Sequence, residues 1–354
     1  MQQATPLVPT YDENNVAICF ASDNLYATYA CVAIQSIIFN STVCNKYDIV
    51  ILESNISQQK KALIQSLAVG RNNFTIRFVQ LRERLLEHKD LFYTKIHITI
   101  DAYSRFFIPE LYQNYEKVLY LDADLVANTD VADLFNTDIS GYLAAVGGDY
   151  TTMYTDDKRK KYVRDVLKMS DPANYFNSGV MLFNVKLMRE YDIQSLLFKR
   201  LECMKRPKNH DQDVLNSVLE NKTLRLSERW NYLSDTKKTL VLHADRIAPE
   251  IVERISKICV EKEAIVHYAS KNKPWRYPIQ ELAQYFWRYA RMTPFYECLV
   301  TEMIAGVREE RKRLVQYKAK LRLYQLLAKC GHKRRRCTCR IAALREQIAF
   351  LSRV

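Results

Sequence analysis

The sequence predicts an α/β domain built on a mostly parallel sheet covered on both faces. Up to about residue 150, short apolar runs alternate with amphipathic stretches, the βαβα rhythm of such a sheet. The apolar runs read as buried strands. One of them, Val118-Leu119-Tyr120-Leu121, ends abruptly in Asp122-Ala123-Asp124, as a strand delivering a ligand site would.

Val16 to Phe20 is a strand, Tyr26 to Phe39 a helix, Tyr47 to Glu53 a strand, Ser57 to Val69 a helix and Phe74 to Val79 a strand. Tyr103 to Leu111 follows as a helix and Lys117 to Leu121 as a strand. In these sheets ligands bind outside the carboxyl ends of the strands, so Asp23 and the Asp122/Asp124 pair are expected to share one crevice. Further on come a strand at Leu143 to Gly147, a charged helix from Thr155 to Met169, and strands at Phe176 to Phe183 and Ala264 to Tyr268. Pro278 to Phe295 is aromatic and helical in pattern, with Pro294 interrupting it. The expected division is a catalytic domain over residues 1–300 and a tail over 301–354.

The Asp-Ala-Asp pair carries the chemistry. Residues i and i+2 of an extended chain point to one side, so both carboxylates can converge on one hard cation. A divalent ion there can bridge a diphosphate and neutralise the charge that grows on a leaving nucleotide. Composition excludes other classes. Apolar residues make up 48% of the chain, enough for a packed core, and seven glycines are too few for collagen-like or glycine-rich linker sequence. No GxGxxG or GxxxxGK[ST] string appears, and neither a signal peptide nor a membrane span is expected. Nine scattered cysteines, an odd number, read as reduced thiols in a cytosol.

Six strings in order resemble the family 8 retaining glycosyltransferases, especially bacterial lipopolysaccharide galactosyl- and glucosyltransferases. They are Phe20-Ala21-Ser22-Asp23 with Tyr26, Ala102-Tyr103-Ser104-Arg105, Leu119 to Asp124, Tyr175-Phe176-Asn177-Ser178-Gly179-Val180, His210 to Asn216, and His267-Tyr268 through Lys273-Pro274-Trp275. The resemblance implies one Rossmann-like domain of the GT-A kind, a UDP-sugar donor and Mn²⁺ or Mg²⁺. It makes Asp122, Asp124 and His267 the metal ligands and places Lys273 on the diphosphate. Asp23 and Tyr26 fall at the nucleotide, Arg105 at donor sugar and phosphate, and Asn177 at the sugar. Asp211 and Gln212 match the donor-sugar and anomeric-face positions, and Asp149 is the remaining carboxylate nearby. A neutral Gln212 is a poor nucleophile, which favours front-face attack with the leaving phosphate as base. The competing readings without the resemblance are a helix cap or turn for Asp23, an acidic helix start for Asp211 and Asp213, a core histidine for His267, and surface cations for Arg105 and Lys273. Leu25 and the Ala269-Ser270 pair depart from the family pattern.

The tail holds the basicity. From Ala305 onward, fifteen Lys and Arg against three Glu give +12 of the chain's net +13. Leu314, Tyr317, Leu321, Tyr324 and Ala328 recur at helical steps among Lys and Arg, an amphipathic pattern suited to an anionic bilayer or to docking on protein. Lys333 to Arg336 is a polybasic cluster, but nothing before residue 305 supports nucleic-acid binding. Cys330, His332, Cys337 and Cys339 are spaced more tightly than zinc hairpins usually are.

The expected function is metal-dependent transfer of galactose or glucose from a UDP-sugar to a saccharide hydroxyl. The expected acceptor is a surface glycolipid, and the expected location is the cytoplasm, peripheral to the inner face of the membrane. The alternatives are a glycogenin-like or polyol-acceptor transferase and an inactive sugar-nucleotide-binding protein.

Overall fold

The structure is a computed structural model that describes residues 5–93, 100–150, 153–154, 157–243, 245–329, 340–341, 344–345 and 348–349. The chain divides into two compact units, Met1–Ala269 with Met292–Pro294, and Ser270–Arg291 with Phe295–Val354. By contacts, the first break along the chain falls at Ala269/Ser270.

The strands of the first unit are β1 (Asn15–Ser22), β2 (Lys46–Glu53), β3 (Phe74–Gln80), β4 (Val118–Leu121), β5 (Leu125–Ala127), β6 (Ala144–Gly148), β7 (Phe176–Phe183), β8 (Thr223–Arg225), β9 (Tyr232–Leu233) and β10 (Ile265–His267). Seven form a sheet ordered β3-β2-β1-β4-β7-β6-β8, and a second sheet is ordered β5-β10-β9. β1 is parallel to β2 and β4, β2 to β3, and β6 to β8. β7 runs antiparallel to both β4 and β6. The run at 176–183 is therefore a strand as expected, with a direction that an apolar run cannot encode. Every residue of β4 and β7 is buried, whichever way its side chain points, so both faces of the sheet are covered.

The helix Ala27–Asn40 connects β1 to β2, and eleven of its fourteen residues are buried. It also fixes β5: the Ala127 N–H donates to Ser36 Oγ at 2.9 Å, and Asn40 Nδ2 donates to the Ala127 carbonyl at 2.8 Å. The expected helix at Tyr103 to Leu111 is a 3-10 helix, Ile100–Phe107, running into the short α-helix Ile108–Leu111 with Pro109 in its first turn. Proline is tolerated there because those N–H groups have no intrahelical acceptor. The expected helix at Thr155 to Met169 is Asp157–Asp165, and residues 155–156 lie outside the described ones.

β2 and β3 lie to one side of β1 and β4 to the other. Strand order reverses between β1 and β4, which puts the ligand crevice of an open α/β sheet at their carboxyl ends. Asp23 follows β1 and Asp122 follows β4 at these neighbouring strand ends.

In the second unit, Trp275 packs against Phe286 of the helix Ala283–Ala290, with ring centroids 5.3 Å apart. The helix Tyr296–Lys329 is 34 residues long. Leu314, Tyr317, Leu321 and Tyr324 form its half-buried stripe, while Val315, Leu323 and Leu326 are exposed. Arg340 stands over the Tyr324 ring, 5.2 Å from its centroid, and Leu344 is buried. The side chain of Ala328, the Cys330/His332/Cys337/Cys339 set and the polybasic cluster lie outside the described residues. Among those described, Cys19, Cys31, Cys44, Cys203, Cys259 and Cys298 are free thiols, and no helix is long and apolar enough to cross a membrane.

Candidate active site

The chain changes sheets inside the Asp-Ala-Asp motif. Asp122 follows the last residue of β4 and gives its N–H to the Gly179 carbonyl of β7 at 2.8 Å. Asp124 precedes β5, which pairs with β10 so that Leu125 stands opposite His267. Tyr268 N–H closes the junction on the Asp124 carbonyl at 2.9 Å. The two carboxylates converge, and the strand exit that brings them together also delivers His267 from more than 140 residues away.

Asp122, Asp124 and His267 each offer a ligand atom, all within 4.8 Å of one another. His267 Nε2 lies 3.2 Å from Asp124 Oδ1 and 3.6 Å from Asp122 Oδ2, with its ring 2% exposed. Asp122 Oδ1 is taken by Arg105 Nη2 at 2.9 Å and the Tyr120 hydroxyl at 3.0 Å. Two carboxylate oxygens and an imidazole nitrogen are all electron-pair donors, and grouped in this half-buried corner they could hold a divalent cation.

Gly179 makes the approach feasible. A Cβ on it would stand 2.1 Å from His267 Cε1 and 2.8 Å from Asp122 Oδ2. Gly147 of β6 is equally confined, because its Cβ would meet Asn231 Cβ at 2.8 Å. These two strands lose register here: Val146 faces Met181, the next pair is Gly147 with Asn177, and Ser178 to Val180 have no partner in β6. Such irregularities re-aim side chains beside active sites.

Arg105 is buried, and its charge is used within the protein. Nε lies 3.1 Å from Asp211 Oδ2, Nη1 donates to the Ser178 carbonyl at 2.6 Å, and the guanidinium stands 4.2 Å from the Tyr120 ring centroid. Burial opposes its charge, but Asp211, Tyr120 and Asp122 outweigh that and raise its pKa. Burial pushes the Asp211 carboxyl up to about 6 against the pull of Arg105, with Asp122 adding to the rise.

The helix His210–Leu219 presents Gln212 beside β7. Gln212 Oε1 accepts the Ser178 N–H at 3.1 Å and Asn177 Nδ2 at 3.3 Å, while its Nε2 donates to Asp149 Oδ2 at 3.3 Å and the Tyr175 hydroxyl at 3.1 Å. Asp213, one residue on, is fully buried under the hydroxyls of Tyr162 and Tyr175 and the Asn209 N–H, and so serves the fold. Asp23 Oδ1 accepts the Tyr26 N–H at 2.7 Å and caps the turn into the first helix. Lys273 belongs to the second unit, where its Nζ lies 6.0 Å from the Trp275 ring centroid, and the resemblance alone ties it to a diphosphate.

Asn231, Tyr175 and Gly179 complete the site, and sequence reasoning gave none of them a role. Asn231 sits in the aromatic string Trp230-Asn231-Tyr232, where nothing local marks it.

The profile of the family described as glycosyl transferase family 8 matches residues 17–278. Glycosyltransferase GlyF of Streptococcus pneumoniae serotype 4 is 29% identical over 276 residues, 77% of this chain and 61% of that protein. Lipopolysaccharide 1,2-glucosyltransferase of Escherichia coli K12 is 29% identical over 167 residues, 45% of this chain and 44% of its own length. Among solved structures, the galactosyltransferase LgtC in complex with donor and acceptor sugar analogues superposes with a TM-score of 0.67 at 26% identity, over 79% of this chain and 96% of LgtC.

Two outcomes follow from this geometry. Gly179→Ala displaces His267 and is expected to weaken Mn²⁺ binding by on the order of 100-fold while the far-UV circular dichroism spectrum is kept. In EDTA-treated protein the folded chain holds the Asp211 proton between about pH 4 and 6, where the unfolded chain has released it. The stability contributed by that group is therefore present at low pH and lost as pH rises through about 6. Urea unfolding of the wild type is expected to show this decline, on the order of 2–3 kcal/mol, and Asp211→Asn to remove it.

Proposed function

The chain belongs to glycosyl transferase family 8, and from that premise we propose that it moves a hexose, galactose or glucose, from a UDP-sugar to a saccharide hydroxyl of a lipopolysaccharide-type glycolipid. The observation that carries the reading is the convergence of Asp122, Asp124 and His267 at the crevice between β1 and β4. With Mn²⁺ or Mg²⁺ bound there, the charge growing on the departing UDP is neutralised.

The remaining residues divide the work. Asp23 and Tyr26, at the carboxyl end of β1, suit the nucleotide side. Asn177, Asp149 and Asp211 suit the hydroxyls of the donor sugar. Arg105 acts by holding Asp122 and Asp211 in place. Gln212, held at both ends of its amide, is a fixed dipole beneath the sugar and not a nucleophile. That supports retention through front-face attack, with the acceptor hydroxyl losing its proton to the leaving phosphate.

A glycolipid acceptor places the enzyme at a membrane surface, and the long helix of the second unit supplies a face for it. The stripe of Leu314, Tyr317, Leu321 and Tyr324 is half-buried, with Arg340 on Tyr324, so a bilayer would meet Val315, Leu323 and Leu326 together with the neighbouring Lys318 and Arg322.

UDP release from a panel of UDP-sugars is the direct test. One donor is expected to turn over with Mn²⁺ and not with EDTA, and Asp122→Ala/Asp124→Ala to lower the rate by at least about 100-fold. Donor binding with no metal requirement would overturn the site assignment. Sedimentation with vesicles containing phosphatidylglycerol is expected to carry down the wild type at low salt, and Val315→Glu/Leu326→Glu to reduce that fraction several-fold.

A further inference from the structure

We infer that Asn231 is the positioning residue that holds His267 in the tautomer with its proton on Nδ1, and that through Asn177 it ties that tautomer to the orientation of Gln212. The inference rests on the reading of Asp122, Asp124 and His267 as a metal site.

One backbone group has a role that admits no choice. The Gly179 N–H donates at 3.0 Å to one atom of the Asn177 amide, so that atom is the oxygen. The same oxygen lies 2.9 Å from an Asn231 amide atom, which must therefore be the nitrogen. The other end of Asn231 is then its oxygen, 2.9 Å from His267 Nδ1, and an oxygen there requires a proton on Nδ1. With the ring neutral, Nε2 then presents its electron pair to the ligand corner. The second fixed point is the Ser178 N–H, which identifies the Gln212 oxygen, and Asn177 Nδ2 donates to that same oxygen. One directed chain thus runs from His267 through Asn231 and Asn177 to Gln212 and ends on Asp149.

Asn231 works against a competing arrangement. Asp124 and Asp122 accept hydrogen bonds, and Asp124 at 3.2 Å would draw the histidine proton to Nε2, where it blocks metal ligation. The neutral amide oxygen on Nδ1 opposes that pull. Asn231 is 2% exposed and packs against Gly147, where no side chain larger than glycine leaves it room. The spacing of 36 residues from His267 and 54 from Asn177 hides this role from the sequence.

Two substitutions separate the two ends of Asn231. Asn231→Asp keeps an acceptor for His267 but has no N–H for Asn177, whereas Asn231→Leu removes both. In Mn²⁺ titrations of the EDTA-stripped full chain followed by electron paramagnetic resonance, Asn231→Asp is expected to bind within about threefold of wild type and Asn231→Leu 10- to 100-fold more weakly. In metal-free protein, the ¹⁵N resonances of His267, assigned by their absence in His267→Gln, are expected to show a protonated Nδ1 in wild type and in Asn231→Asp. A shift of the proton to Nε2 is expected in Asn231→Leu. With saturating metal and donor, Asn231→Asp is expected to lower kcat at least tenfold with little change in metal affinity, because Gln212 has lost its alignment. Equal Mn²⁺ affinity in wild type and Asn231→Leu, or equal loss in Asn231→Asp and Asn231→Leu, would overturn the inference. A wild-type chain that binds no Mn²⁺ would overturn the metal reading and this role with it.

Discussion

Three carboxylates and one guanidinium share the end of β4, and the geometry of the crevice depends on how their charges balance. Asp122, Asp124 and Asp211 bring three negative charges, and Arg105, buried between Asp122 and Asp211, returns one. Like charges crowded at low dielectric shift their pKa values or recruit a counter-ion. Asp211 shows the first response, pushed up to about 6 mainly by burial. The donor set of Asp122, Asp124 and His267 could serve the second.

How much of this was legible in the sequence follows from how local each signal is. Asp122 and Asp124 could be read because an apolar strand ending in two acids is a local pattern, and Asp23 because the first βα turn is local too. Their convergence is real, but it arises where the chain passes from one sheet to another and not from the pleat of one continuous strand. His267 was reached through resemblance, since a histidine after three apolar residues looks like core, and in the structure it is core by burial as well. The antiparallel course of β7, the closeness demanded at Gly179 and the role of Asn231 were out of reach. Each is a relation between distant segments, and a string of residues records neither direction nor proximity. Arg105 shows a subtler limit. Its residue type was informative, but an arginine that is 4% exposed must satisfy its charge within the protein before it can serve a ligand.

The site has a charged side and a neutral one, and the division has a physical reason. Asp122, Asp211 and Arg105 meet as ionic groups, whereas Asn177, Asn231 and Gln212 are amides. An amide offers a donor and an acceptor, so it passes orientation from one neighbour to the next without adding charge that would compete for the cation. Carboxylates in those positions would satisfy the acceptor role and fail the donor role, leaving a buried group unpaired at a cost of about 1–3 kcal/mol.

What orients the amides is the irregular stretch of β7. Ser178 and Gly179 have no partner in β6, and backbone N–H groups that are buried must find acceptors somewhere. Here they find side-chain oxygens, Ser178 on Gln212 and Gly179 on Asn177. Backbone donors cannot rotate or reverse their polarity as a hydroxyl can, so they fix the direction of every amide joined to them. The local loss of register is therefore what gives His267 and Gln212 their orientations. A strand paired regularly throughout would be more stable locally, and it would leave both side chains without a reference direction.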